Sequence, residues 1–228
     1  MREDSRARLG AAAGAIAVLL FLAGALVIGE RPAFDSPGAQ VAEFFDSQRT
    51  RIQIGVALDA LAVPLLLWFL VTVAALARSG GPDPGRTGTF AAACGAVFLA
   101  LFLADLSALA VGALRPENMA ADPELASALQ DYELLLMGAA APLGAATLAG
   151  FAVLTMRHGM LWPRWLGWLA AIAAAVYALR IGTLFTTEGA FAADGLLGLY
   201  LPVSAFSAWL LVASALLVFP RPGRPPSG

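Results

Sequence analysis

Three ionisable side chains stand where a lipid-spanning sequence is expected to have none: Asp59, Asp105 and Arg180 each lie deep inside a long apolar stretch. On insertion scales each costs about 2.5–3.5 kcal/mol at mid-membrane, so roughly 8–10 kcal/mol together if they face lipid unpaired. They are therefore expected to turn into the interior of a helix bundle and meet one another. Two carboxylates and one guanidinium do not neutralise, and low-dielectric surroundings penalise the excess negative charge. One aspartate is then expected to hold a proton, or the pair to share one. Such a set suits a proton or cation site. It also suits a structural clamp in which Arg180 bridges the two aspartates and locks the helices, although a buried ion pair is weak evidence of stabilisation. Membrane-embedded catalysis, with a protonated aspartate as general acid, is a third reading.

Polar residues near these charges extend the candidate site. Tyr177, Arg180, Thr183 and Thr187 form a polar stripe, and Tyr200, Ser204, Ser207 and Ser214 recur at near-helical spacing further on. The candidate binding residues are thus Asp59, Asp105, Arg180, Tyr177, Thr183, Tyr200, Ser204 and Ser207, aimed at one outward-opening pocket. Gly55 and Ala62 flank Asp59 at i−4 and i+3, and Ala108 and Gly112 follow Asp105 at i+3 and i+7, small residues that permit close helix approach. Leu101, at i−4 of Asp105, leaves that face open only outward.

The elements that must position these residues follow from composition. Of 228 residues 60% are hydrophobic and 13% charged, with a mean hydropathy of +0.78; a soluble domain has about 45–50% and 25%. A hydrocarbon core about 30 Å thick needs about 20 helical residues, and six stretches qualify: about 9–29, 52–77, 87–114, 134–156, 161–185 and 195–219. The expected fold is an all-α polytopic bundle of six transmembrane helices with short external amphipathic helices. Residues 1–8 form an N-terminal segment, and 220–228, which contain Arg221 and Arg224, a disordered tail. Arg2, Arg6 and Arg8 precede the first stretch as in a signal peptide, but its length and the lack of an A-x-A site predict a retained anchor.

Arginines in short loops set the orientation. With the N-terminus in the cytoplasm, Arg2, Arg6, Arg8, Arg78, Arg86, Arg157, Arg164, Arg221 and Arg224 are inside, and Arg31, Arg49, Arg51 and Arg115 outside. Both termini are therefore expected in the cytoplasm of a bacterial cell, in the cytoplasmic membrane. At about 1.5 Å per residue this places Asp59, Asp105 and Arg180 in one layer roughly 8–14 Å below the outer boundary. Pro64, five residues beyond Asp59, offers a kink that frees carbonyls near that layer. Trp162, Trp165 and Trp168 at the start of the fifth span read as an interfacial belt, and Pro163 suits a first helical turn. Gly138, Pro142, Gly144 and Gly150 read as close-packing positions on the fourth.

Ser36-Pro37 reads as an N-cap and N1 pair, after which Val41, Phe44, Phe45 and Ile52 share a face that Glu43, Asp46 and Arg49 avoid, as in a short interfacial helix. Asp122-Pro123-Glu124 opens a second such segment running into the fourth span. With Glu117, Asp131, Glu133, Glu188 and Asp194, these make the outer surface acidic, which reads as a solvated face or as an attractor of cations.

Several chemistries are excluded. The single Cys94 and single His158 supply neither a disulfide framework nor a histidine-rich or thiolate metal centre. The net charge of −2 argues against nucleic acid. Phosphate-binding glycine loops, HExxH, CxxC and GxSxG are absent. All 14 basic residues are arginine, a mark of GC-rich coding rather than function. No cofactor is expected, and the lipid bilayer is the expected partner.

Residues 10–185 resemble a class of bacterial six-helix integral membrane proteins grouped under domains of unknown function. The likeness rests on the Asp35-Ser36-Pro37 segment, Leu67-Trp68-Phe69-Leu70, the acidic segment before the fourth span, and Trp162-Pro163-Arg164-Trp165-Leu166-Gly167-Trp168. It implies a fold and a membrane location and brings no substrate or catalytic residues. The expected function is binding or movement of a small solute, proton or cation at the buried charges. The alternatives are an acid–base enzyme acting on a lipid or isoprenoid, and a structural or accessory protein held by those charges.

Overall fold

A computed structural model describes residues 2–186 and 189–219, without the side chains of Arg2, Glu3, Asp4 and Arg6; the predicted tail, Thr187 and Glu188 lie outside the described residues. The charge-free stretch after Arg8 forms α1 (Arg2–Ile28). Gly29, at φ +77°, ends it by returning its N–H to the Ala25 carbonyl at 3.0 Å, a conformation glycine adopts without a Cβ clash. A strap at 29–37 leads to α2 (Gly38–Ser47), and Gln48 joins it to α3 (Arg49–Ser79), which continues through Pro64. Gly81, at φ +115°, turns the chain into α4 (Pro82–Leu114), with proline in the first turn where its missing N–H costs nothing. The short α5 (Pro116–Ala121) precedes Asp122, whose carboxylate accepts from the Leu125 N–H at 3.2 Å and caps α6 (Pro123–Met156). Then come α7 (Arg164–Leu179), tightening into a 3₁₀ turn at Arg180–Leu184, a wider π-type turn at Leu196–Tyr200, and α8 (Leu201–Val218).

Six segments are long and apolar enough to cross a membrane: Ala7–Ile28, Arg49–Ser79, Pro82–Leu114, Pro123–Met156, Arg164–Leu184 and Gly189–Val218. No strand occurs among the described residues, so the chain is an all-α polytopic membrane bundle. Its main packing runs as a ring: α1 against α3, α3 against α4, α4 against α6, α6 against α7, α7 against α8, and α8 back against α1. We call the end where α1 finishes and α3 begins distal, and the opposite end proximal.

Small residues bring the helices together. A Cβ on Gly150 would lie 2.6 Å from that of Ala91, and one on Gly144 2.6 Å from the Tyr177 ring. Aromatic residues fill the proximal half: Phe151 stacks on Trp209 with centroids 5.3 Å apart at 9°, and Trp162 meets Trp209 edge-on at 5.3 Å. Trp162 corrects the expected interfacial belt. It is buried at 2% exposure and donates its indole N–H to the Ala213 carbonyl at 2.9 Å, whereas Trp165 and Trp168 face outward. The physical reason is the preceding turn: Gly159 at φ +63° and Leu161 at φ +68° fold the chain under the bundle, so Trp162 points back between α6 and α8.

Across the distal end lies α2. Val41 and Phe45 pack with Ile28, Ile52, Leu109 and Met119, and Phe45 rests against Gly112 of α4. The apolar face of this helix thus turns into the protein, and the helix starts one residue later than Ser36-Pro37 suggests, with Pro37 at the cap position.

Candidate functional site

Four buried charges, Asp59, Asp105, Glu133 and Arg180, collect in the distal half, and the partly exposed Arg31 joins them from the strap. Asp59 projects from α3 against Gly24 of α1, where an added Cβ would collide with Asp59 Oδ1 and lie 2.9 Å from the Gly55 carbonyl oxygen. Asp105 on α4 sits in the electrostatic field of Glu133, Arg31, Arg180 and Asp59 together. Asp59, Asp105, Glu133 and Arg180 are each 4–6% exposed. Arg180 stands where α7 gives way to the 3₁₀ turn, so its cation meets the negative end of the helix dipole. Its side chain hydrogen-bonds the buried Tyr177, whose ring lies against Gly144 of α6. Thr183 faces Gly138 of α6 with its hydroxyl buried and without a hydrogen-bond partner.

The anticipated clamp has a different geometry. Among the described residues the one ion pair in contact joins Arg31 to Glu133. Arg180 acts on Asp105 and Tyr177, and the charge that acts on Asp59 from the cationic side is Arg31. The strap explains how Arg31 gets there. Gln130 of α6 donates through Nε2 to the Pro32 and Ala33 carbonyls at 3.2 and 3.1 Å, and the Phe34 N–H donates to Asp194 Oδ2 at 3.1 Å. Arg31 is thereby held over the end of the cluster, its side chain 35% exposed against 6% for Glu133. Burial works against the charge of Arg31, yet Glu133 beside it, with Asp105 and Asp59 behind, holds its pKa above the ordinary arginine value.

Glu133 therefore belongs to the interior, not to the solvated acidic face. The sign was present in the sequence: Ala126, Gln130, Glu133, Met137, Ala140 and Gly144 recur at intervals of three and four along one buried stripe of α6. Starting the span at Leu134 cut the stripe off below Glu133. Arg31 carried no such sign, because a strap has no period.

Two residues of the expected pocket lie elsewhere. Tyr200, 63% exposed, and Ser204 face away from the bundle interior. Tyr200 belongs to the π-type turn at Leu196–Tyr200, where the 3.6-residue period does not hold, whereas Ser204 lies three residues before Ser207 within α8, a step of about 60° around the helix that leaves it on the outward side. Ser207 is buried with an unpartnered hydroxyl, as is Ser214, which packs at Gly14 of α1.

Asp59 Oδ1, Asp105 Oδ1 and Arg180 Nε are also buried without a hydrogen-bond partner. Three carboxylates against two guanidiniums leave one negative charge in excess when all are ionised. No group of histidine, cysteine and acidic residues among the described residues has the geometry for a metal ion. An apolar cavity of about 30 Å³ inside the bundle, lined by Phe69, Phe98, Phe151, Trp209 and neighbours, and a groove at the proximal end both lie away from Asp59, Asp105 and Arg180. No protein-family model matches the chain, and no curated protein or solved structure is significantly similar to it.

Proposed function

We propose that the chain is a multi-pass protein of a bacterial cytoplasmic membrane, with both termini in the cytoplasm, that binds one proton at the Asp59–Asp105–Glu133–Arg31–Arg180 cluster and exchanges it with the outer side. The arginine bias supports the orientation: Arg8, Arg78, Arg86, Arg157 and Arg164 gather at the proximal end, which makes the distal end external. The observation that carries the function is the uneven charge. A desolvated excess carboxylate is costly, one proton removes the excess, and two carboxylate oxygens are buried with no donor. Exchange with the outside fits the partly exposed Arg31, the part of the cluster nearest solvent.

The close helix approach at Gly24, Gly138 and Gly144, which meet Asp59, Thr183 and Tyr177, favours a second reading, in which the same charges serve only to lock the helices. The cavity of about 30 Å³ among Phe69, Phe98, Phe151 and Trp209 has room for roughly one water and not for an acyl or isoprenoid chain, so it lends the enzyme reading no support.

Infrared difference titration of the full chain in lipid nanodiscs separates proton binding from locking. Proton binding gives a carboxyl band that appears on acidification and is lost in only one of Asp59→Asn and Asp105→Asn. Locking gives two variants that are equally destabilised, with no such band in the parent protein, and that result removes the proposal.

A further inference from the structure

At the proximal end, where α3 passes into α4, a groove of about 780 Å³ is lined by Arg78, Gly81, Pro82, Gly85, Arg86, Thr89, Phe90 and Ala93. Its two ends differ in chemistry. Arg78 and Arg86 stand at the mouth, exposed, and neither has an ion-pair or hydrogen-bond partner among the described residues. Asp83, one turn from Arg86, is exposed and does not line the groove. From Arg86 to Ala93 the wall descends about 10 Å along α4, past Phe90, which is 60% exposed, onto the outward apolar face of the helix. Two glycines shape the mouth. Gly81 takes φ +115°, and Gly85 lets Arg78 lie against α4, since a Cβ there would be 3.3 Å from Arg78 Cγ.

We propose that this groove binds one anionic phospholipid, with its phosphate between Arg78 and Arg86 and an acyl chain along Phe90 and Ala93. A guanidinium pair matches a phosphodiester in charge and hydrogen-bond geometry. The step from cationic mouth to apolar wall within about 10 Å matches the step from headgroup to hydrocarbon. The site is independent of the buried cluster at the opposite end.

The test is native mass spectrometry of the full chain released from nanodiscs holding phosphatidylglycerol and phosphatidylcholine with identical acyl chains. The parent protein should retain one phosphatidylglycerol in several-fold preference. The Arg78→Gln/Arg86→Gln double variant should lose that preference, and Arg157→Gln/Arg164→Gln, which removes the same charge from the same end outside the groove, should keep it. Ala93→Trp, which fills the chain path without touching the charges, should lower retention even if the arginine variant folds poorly. Equal loss in the two arginine pairs would show a diffuse basic surface and overturn the proposal. So would full retention by Ala93→Trp, or saturable binding of free glycerophosphate that competes with the lipid.

Discussion

Replacing Arg31 by methionine tests whether the strap closes the cluster through charge. The parent cluster carries three carboxylates and two guanidiniums, and Arg31→Met leaves three against one. Removing one partner of a fully buried pair costs about 3–5 kcal/mol, and an exposed pair is worth about 0–1 kcal/mol. With Glu133 6% exposed and Arg31 35% exposed, the loss should fall between these, about 2–3 kcal/mol. The sign of the pH dependence follows from the charge left over. Protons neutralise uncompensated carboxylates, so the penalty should shrink as pH falls and grow as it rises. Adding Glu133→Gln restores the parent's single excess charge without restoring Arg31. The double variant should recover to within about 1 kcal/mol of the parent, because a neutral replacement for a buried pair is close to isoenergetic. The readout is reversible unfolding in bilayers or mixed micelles across pH. If the double variant is no more stable than Arg31→Met, the arginine acts through packing of the strap and the charge argument fails.

Two further outcomes follow from the packing. Gly24→Ala places a methyl group against Asp59 and the Gly55 carbonyl, where helix backbone blocks retreat, and should lower stability by roughly 1–3 kcal/mol; Gly29→Ala, where φ is positive and an added Cβ would make ordinary contact with the Arg51 guanidinium at 3.5 Å, should cost about 1 kcal/mol through backbone strain, so a larger loss there would refute the contact-based ranking. Trp162→Phe removes a buried donor from the Ala213 carbonyl and should cost about 1–3 kcal/mol, whereas Trp165→Phe, on the outward face, should change unfolding by less than about 0.5 kcal/mol. Equal effects of the two tryptophan substitutions would return Trp162 to the membrane interface.

The spans were legible because hydropathy over about 20 residues is a local property that the bilayer reads directly. That local signal also located Asp59, Asp105 and Arg180 as charges that must turn inward, and the structure buries all three. Illegible were features that depend on one backbone angle or one turn. Leu161 at positive φ carries Trp162 from the surface into the core, and a single wider turn puts Tyr200 out of phase with Ser207. Glu133 was lost by a boundary: polar residues in the first turns of α6 resemble a loop until the helix is continued back to Pro123, when Gln130 and Glu133 fall on its buried stripe. Arg31 depends on the strap's contacts to Gln130 and Asp194, 98 and 160 positions away along the chain, which no local window of sequence contains.

The placement of the two guanidiniums bears on how positive charge is shared across the cluster. Arg180 follows the last turn of α7, and Arg31 lies three residues beyond the end of α1. Helix C-termini carry a partial negative charge, roughly half an elementary charge, so the Arg180 guanidinium at the end of α7 stands between that helix end and Asp105, while Arg31 pairs with Glu133. At α1 part of that demand is met from elsewhere, since Arg51 Nε donates to the Val27 carbonyl at 2.8 Å. At α7 no second arginine is positioned in this way among the described residues, and Arg180 must serve the helix end, Tyr177 and Asp105 together. The positive charge left for Asp105 and Asp59 is then less than a count of side chains gives. That shortfall falls on the two carboxylates whose Oδ1 atoms lack donors, and the proposed proton site rests on them.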